Sequence, residues 1–503
     1  MTDTPVLIVG AGPTGLALAL RLARQGVAFR IVDEDAGPGD ASRAIVVQAR
    51  TLELYDQLGI AEEAVGLGIR LDQVRLREGG AEVASVDLGD LGEGLSPYPF
   101  ALILPQDDHE RLLTAALARD GVSVDWGVRM ERFEQDDRGV RAVLSRDGAE
   151  EICEAAWLVG CDGARSGVRK GLGVEFPGGT YEQPFYVADV AIAGGFRCDL
   201  LGSLGADGLA VMFPVRTSGM QRLIGALPET PGDLEAMTFE DVRPVVEPLL
   251  GIRVERVNWF AAYRVHHRVA ARFRVGRVFL AGDAGHVHSP AGGQGMNTGI
   301  GDAVNLGWKL AEVIAGRAPA RLLDSYELER IAFARKLVAT TDRAFRGMVD
   351  TGRAGRFLRT WLAPRALPRL LRFADVRRRM FAVISQIQVS YRDQAGVEGR
   401  AGEVRGGDRL PWVAEGGGNF APLRSLAWQA HVYGRATEAL RAAAGELGLA
   451  LVEATWRPAA ERAGLAKDGL YLVRPDGHVA LAEAEQDVGV LRRYVGEAGL
   501  KFA

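Results

Sequence analysis

The sequence predicts an α/β protein: a domain opened by a βαβ unit, interleaved with antiparallel sheet, and followed by a separate αβ unit. Three observations predict it. An N-terminal run reads strand, glycine turn, helix, strand within about thirty residues. Short alternating runs, VRLRE, EVASVDL, FYVADVAIAG and LAVMFPV, sit later between Gly and Pro turns, the pattern of half-buried antiparallel strands. Beyond them VFLAG (278–282) returns to the fully apolar strand type, so the chain re-enters its first domain late.

The elements follow in order. VLIVG (6–10) is a buried strand, LALALRLARQG (16–26) a helix closed by Gly26, and FRIVD (29–33) the next strand. ARTLELYDQLGI (49–60) and DDHERLLTAALAR (107–119) carry helical apolar spacing, and helical patterns dominate from about 300 to 390. A Gly-rich stretch (396–418) marks a boundary. In the tail, LALVEATW, GLYLVRPDG and HVALAEA read as strands and QDVGVLRRYVGEAG as a last helix. The predicted division is 1–70, 100–176 and 270–395 for the first domain with its helical extension, 71–99 and 177–269 for the antiparallel domain, and 400–503 for the tail.

The bulk properties are those of a soluble, cytoplasmic chain. Of 503 residues, 48% are hydrophobic and 25% charged, with a net charge of −5. That balance argues against nucleic acid, and nine arginines in 353–379 read as a solvated helix surface. No apolar run of eighteen argues for a membrane span. Three cysteines without CxxC spacing argue against a disulfide framework. His286 and His288 lack a third ligand nearby, so no metal is expected.

Three glycine-bearing turns carry the chemistry. Gly10-Ala11-Gly12-Pro13-Thr14-Gly15 fits GxGxxG between strand and helix, the Rossmann-like fingerprint of a dinucleotide site. Gly10 permits the tight turn, Gly12 clears space for a pyrophosphate, and Gly15 lets helix and strand approach. Asp33 ends the second strand, where an acid accepts hydrogen bonds from a ribose diol. WLVGCDGARSGVRKGLG (157–173) reads as a strand, an Asp162-Gly163 turn and a Ser-started helix. In GDAGHVHSPAGGQGMNTG (282–299), Asp283 ends a buried strand, and AGGQGMN offers bare backbone N–H groups at a helix start. Such a cluster suits the electron-rich edge of a reduced flavin ring.

Together with RAIVVQARTLELYDQLGI and YRVHHRVAARFRVGRVFLAGDA, these stretches resemble the class A FAD-dependent aromatic hydroxylases of the p-hydroxybenzoate and phenol hydroxylase type, over about residues 5–345. LVRPDGHVA resembles the thioredoxin-like C-terminal domain of the polyketide hydroxylase branch. Lacking cysteine, that domain has no dithiol chemistry, and packing or subunit contact is its expected role, so a homodimer is admitted. The resemblance implies FAD on Gly12, Pro13, Thr14 and Gly15 through its pyrophosphate, and on Asp33 through the adenosine ribose. It places Arg43 and Gln106 near the phosphate or ribityl chain, Asp162 in a motif serving both FAD and NAD(P)H, and Asp283 on the ribityl chain. Pro290, Gly293, Gln294, Gly295, Met296 and Asn297 form the loop beside the ring.

The implied reaction takes NADPH or NADH as a transient co-substrate and O2, and hydroxylates a phenolic or polyketide-like ring through a C4a-hydroperoxyflavin. Baeyer–Villiger or heteroatom oxygenation of a polycyclic or antibiotic substrate is the alternative on the same fold. A flavin-binding assembly partner without turnover is the alternative of another class. Some phenol-hydroxylating relatives carry an acid just after the Arg-Ala pair. Here Ile45, Val46 and Val47 stand there, which favours a larger apolar aromatic. Tyr181, Tyr186, Tyr263 and His267 are the candidate base or substrate-positioning groups.

Overall fold

The computed structural model describes residues 3–39, 44–89, 91–195, 198–205, 208–227, 233–289, 292–349, 366, 370, 373–394 and 396–502. Strand β1, Thr4–Val9, turns through Gly10 into helix α1, Pro13–Arg24, and the chain returns in β2, Arg30–Asp33. Helices α2, Ala49–Gln57, and α3, Gln106–Arg119, precede β3, Ala149–Gly160. The second sheet contains β4, Gly178–Ile192, and β5, Val254–Val269, with helix α4, Phe239–Leu250, between them in sequence. β6, Val278–Leu280, then leads toward helices α5, Gly295–Ile314, and α6, Asp324–Val349.

The first sheet runs β6-β3-β1-β2 with all four strands parallel. Its centre is apolar on both faces, and Val6, Leu7 and Ile8 are fully buried. The chain leaves β1 toward β2 on one side, while β3 joins from the other. That reversal opens a crevice at the carboxyl ends of β1 and β3, where α/β sheets bind ligands. α1 covers the sheet with Leu16, Leu18, Leu20 and Leu22, none of them exposed. α5 lies close against α1, because Gly307 has no side chain where Arg21 passes: a Cβ there would sit 2.8 Å from Arg21 Cγ.

In the second sheet β4 pairs antiparallel with β5 and with Gln221–Ala226. One pairing departs from the antiparallel expectation: Leu200–Gly205 runs parallel to Gln73–Glu78. These strands lie far apart in the chain, with much of the first sheet between them, so no hairpin dictates their direction. α4 packs Phe239, Val242 and Val246 on one face of this sheet, over Tyr186, Ala188 and Met212. On its other face, Phe213 and Val215 meet Ile45 and Ile103 of the first domain.

The C-terminal sheet has six strands. Gln429–Tyr433 lies between Ala450–Ala454, parallel, and Leu470–Val473, antiparallel. This unit packs on the first domain, with Trp428 edge-on to Trp308 of α5 at 5.5 Å. A buried ion cluster joins the same surfaces. Glu329 of α6 accepts from Lys309 Nζ at 2.9 Å and from Arg474 Nη1 at 2.7 Å, while Arg474 also reaches Asp476 at 2.6 Å. Of the nine arginines in 353–379, only Arg377, Arg378 and Arg379 fall among the described residues. No helix among the described residues is long and apolar enough to cross a membrane.

Burial alone would raise the Glu329 carboxyl, but Arg474 and Lys309 outweigh it and draw it down to about 2. A carboxyl lowered on folding adds stability above its unfolded range, and that stability fades as pH falls toward about 2. Glu329→Ala leaves Lys309 buried without its carboxylate and Arg474 with Asp476 alone, and is expected to cost about 3–5 kcal/mol. Urea unfolding at neutral pH measures the loss, and the difference from wild type is expected to shrink near pH 3.

Candidate active site

At the mouth of the crevice, Gly10 sits at φ +102°, and a Cβ on it would fall 2.4 Å from the Cys161 carbonyl oxygen. A Cβ on Gly15 would lie 1.9 Å from the Gly10 carbonyl oxygen. Only glycine lets strand and helix meet this closely. Gly12 is the opposite case: a Cβ there meets no atom within 4 Å. It is also the N-cap of α1, which has no side-chain cap and no acid in its first turn. An open cradle therefore faces a helix N-terminus, whose N–H groups and dipole suit an anion. Asp33 shapes this turn, accepting from Ala11 N–H at 2.5 Å and Asp35 N–H at 2.9 Å. Burial raises the Asp33 carboxyl, against these two bonds.

The second turn is built inward. The Asp162 carboxylate accepts from Ser166 Oγ at 2.6 Å and Val168 N–H at 3.0 Å, and Ser166 caps Arg169 N–H. These bonds start the helix Gly167–Gly171, the turn-and-cap arrangement of an Asp-Gly turn. Burial again raises the carboxyl. Arg169 ties this turn to the third by donating to the Ala284 carbonyl at 2.8 Å.

In the third turn, Gly282 lies at φ +60°, directly over Thr14. A Cβ on Gly282 or on Gly299 would come within 2.4 or 2.3 Å of Thr14 Oγ1. Thr14 of the first motif is thus wedged between two glycines of the third. Asp283 follows at the exposed lip. Gly293, at φ +61°, faces Val46, and Gln294 is the N-cap of α5, whose first turn holds Gly295, Met296 and Asn297 and no acid.

The Asn297 side chain is spent on the protein. It accepts from Gln48 N–H at 2.8 Å and Thr51 Oγ1 at 2.7 Å, and donates to Val46 O at 2.9 Å and Gly293 O at 2.8 Å. Only its backbone N–H remains to face a ligand. Met296 Sδ lies 3.1 Å from His109 Nδ1, and His109 in turn bonds the Tyr55 hydroxyl. Gln106 starts α3 and donates to Glu110 at 2.8 Å. Arg43 and Pro290 lie outside the described residues.

The four candidates on the second sheet divide between its faces. Tyr181, Tyr263 and His267 share one: His267 packs on Tyr181 at 4.7 Å, and Tyr263 on Phe185 at 6.2 Å. Tyr181 donates to Asp342 of α6 at 2.7 Å. His267 Nδ1 is buried with no partner among the described residues. Tyr186 corrects the expectation. It follows Phe185 on β4, so strand alternation turns it to the far face, where it stacks on Phe260 at 6.5 Å under α4. Burial pushes its hydroxyl well above the ordinary range.

Gln48, Arg169 and Asp302 also shape the site, though no motif in the sequence marks them. Gln48 donates to the Gly292 carbonyl at 2.9 Å, and Asp302 accepts from Gly282 N–H at 3.0 Å. A lone acid in the apolar run GIGDAVNLGW was the available signal for Asp302. His286 is 1% exposed and bonded to Asp302 at 2.7 Å. No group of three metal-ligating side chains occurs among the described residues.

Three turns meet around one crevice with two uncapped helix N-termini, a geometry that fits an extended dinucleotide bearing an anionic pyrophosphate. A model of an FAD binding domain family matches residues 3–341. The chain belongs to this family. It is 36% identical over 514 residues to a 12-dehydrotetracycline 5-monooxygenase/anhydrotetracycline 6-monooxygenase of Streptomyces rimosus subsp. rimosus, covering 96% of this chain and 95% of that one. Among solved structures it resembles an anhydrotetracycline hydroxylase from Streptomyces rimosus, with TM-score 0.78 and 32% identity over 98% of both chains. It also resembles a flavin-dependent monooxygenase solved with FAD and substrate, with TM-score 0.81 and 27% identity over 99% of this chain and 100% of that one. The protein is therefore an FAD-dependent aromatic monooxygenase.

Because a Cβ at Gly12 meets no protein atom, Gly12→Val is expected to fold normally yet take up no FAD. The apo variant should melt within about 2 °C of wild type apoprotein. A yellow purified variant would contradict the placement of the pyrophosphate.

Proposed function

We propose that this flavoenzyme hydroxylates a polycyclic phenolic substrate of the polyketide type, using NADPH or NADH and O2. The observation that carries the substrate class is the wall beside the third turn. Ile45 is buried with Ile103, Phe213 and Val215, and Val46, Val211 and Ile224 pack on them. An apolar wall without an acid suits fused rings better than a simple phenol. The tetracycline-type relatives support the same reading.

In this reading the N-terminus of α1, with Gly10, Gly12, Pro13, Thr14 and Gly15, holds the pyrophosphate, and Asp33 holds the adenosine ribose. Arg43 and Gln106 stand near the phosphate or ribityl chain. Asp283 takes the ribityl hydroxyls, and Asp162 holds the second turn in place for cofactor and NAD(P)H. The N–H groups of Gly295, Met296 and Asn297 face the ring, with Pro290, Gly293 and Gln294 completing the loop. Bound FAD supplies hydride acceptance and oxygen activation. The chain supplies orientation and a dry wall. Of the sheet candidates we retain His267 as the group that accepts the phenol proton, with Tyr181 and Tyr263 shaping that face; an Nδ1 with no partner among the described residues supports this reading.

The division assigned here is a FAD-binding domain (1–70, 100–176, 270–395), a substrate-binding domain (71–99, 177–269) and a thioredoxin-like tail (400–503). Cys153, Cys161 and Cys198 are free, in keeping with a reducing cytoplasm.

Purified holoenzyme should oxidise NAD(P)H faster when a polycyclic phenol such as anhydrotetracycline is added, with a product one hydroxyl richer and little H2O2 release. Ring insertion instead of a new hydroxyl would favour Baeyer–Villiger chemistry. A failure of every aromatic tried to accelerate NAD(P)H loss would favour a non-catalytic flavin binder. Asp283→Ala is expected to weaken FAD binding about tenfold, as one lost hydrogen-bonding carboxylate does. FAD titration of the apoprotein measures it.

A further inference from the structure

The third turn does not hold its shape alone. Behind it, fully buried, lies a chain of polar contacts that no step of the proposed reaction uses. Asp302, on α5, accepts from Gly282 N–H at 3.0 Å and pairs with His286 Nε2 at 2.7 Å through one oxygen, Oδ2. These two partners flank Asp283. The other oxygen, Oδ1, accepts from Arg330 Nε on α6 at 2.6 Å. Arg330 spends its remaining nitrogens on the Tyr391 hydroxyl at 3.1 Å and the Thr298 carbonyl at 3.1 Å. Asp302, Arg330 and His286 are at most 3% exposed.

Tyr391 lies just before the C-terminal unit and is tied to it. Its backbone N–H donates to Gly407 O at 2.8 Å, and Gly407 N–H donates to Val479 O at 2.7 Å. Its ring lies 4.6 Å from that of His478. The polar path therefore runs from the C-terminal sheet through Tyr391, Arg330 and Asp302 to the backbone on both sides of Asp283. A carboxylate holding three donors fixes all three directions at once, and a buried guanidinium with three acceptors does the same. Moving either partner would leave a buried charge unpaired, which is costly, so the arrangement is stiff.

We propose that Asp302 and Arg330 are positioning residues for the flavin, and that the C-terminal domain, through Tyr391, is part of the support that sets the FAD-contacting turn. This inference rests on the reading that the 282–297 loop holds FAD. The domain's contribution is then mechanical, which accounts for its docking on α5 and α6 in a chain whose tail has no cysteine. Asp302 and Tyr391 differ from ordinary packing residues in one measurable way. Their loss should act on the flavin before it acts on the fold.

The test uses the full chain, stripped of flavin and titrated with FAD by quenching of its fluorescence. Three variants are compared: Asp302→Asn, Tyr391→Phe and Trp428→Phe, the last thinning the apolar contact between the same two domains. Asp302→Asn keeps the shape but turns an amide toward one set of donors. It is expected to weaken FAD binding about tenfold or more, and Tyr391→Phe about threefold. Both should also shift the visible band of bound flavin at saturating FAD. Trp428→Phe should lower the melting temperature at least as far as Tyr391→Phe, yet keep wild type affinity and spectrum. Should Asp302→Asn fail to fold, Tyr391→Phe against Trp428→Phe still decides. The inference is overturned if the two polar variants bind FAD within about twofold of wild type, or if Trp428→Phe weakens FAD as much as they do. A wild type chain that never takes up FAD would instead overturn the reading beneath it.

Discussion

The site depends on one steric constraint: backbone must meet backbone at the carboxyl end of β1. Gly10 presses on the Cys161 backbone and Gly15 on that of Gly10, while Gly282 and Gly299 leave room for the Thr14 side chain. Each contact is closer than any Cβ allows. The three turns are consequently one object. Their order in sequence, at 10–15, 160–169 and 282–299, is reconciled by the parallel order β6-β3-β1, which sets their parent strands side by side. Within the first motif, Gly12 differs from Gly10 and Gly15 in having empty space before it, which separates a ligand-facing glycine from its packing neighbours.

Around this object the chain places few unsatisfied charges. The acids of the site are each engaged by the protein: Asp33 by two backbone N–H groups, Asp162 by a hydroxyl and an N–H, and Asp302 by Arg330 and His286. These charge-assisted hydrogen bonds hold the loops in shape around the backbone N–H groups of the turns. The tail extends the same design. Lys309, Glu329, Arg474 and Asp476 neutralise one another where α5, α6 and the C-terminal unit meet.

Much of this was legible in the sequence because it is local. GxGxxG, the DG turn and the glycine-rich loop each place their residues within a few positions, and a strand before and a helix after fix the geometry. What was not legible depended on partners distant in the chain. Nothing near Asn297 announces that Val46, Gln48 and Thr51 will consume its side chain. The same holds for Asp302, whose partner Arg330 lies on the next helix. Tyr186 was misplaced for a different reason: Phe185 and Tyr186 are adjacent on a strand, and only the assembled sheet shows which face meets α4. The strand Gln429–Tyr433 was missed because Gln and His interrupt its apolar pattern. Both are buried and satisfied, Gln429 on Pro422 O and Ser425 Oγ, and His431 on Gln429.

The central claim is that three turns far apart in sequence grip one dinucleotide together. Amide hydrogen exchange on the apoprotein and the FAD-saturated protein tests it most directly. The account predicts that FAD slows exchange in all three segments, 10–16, 162–169 and 282–298, over the same range of FAD concentration. Protection confined to the first segment, or appearing in the three at different FAD concentrations, would contradict it.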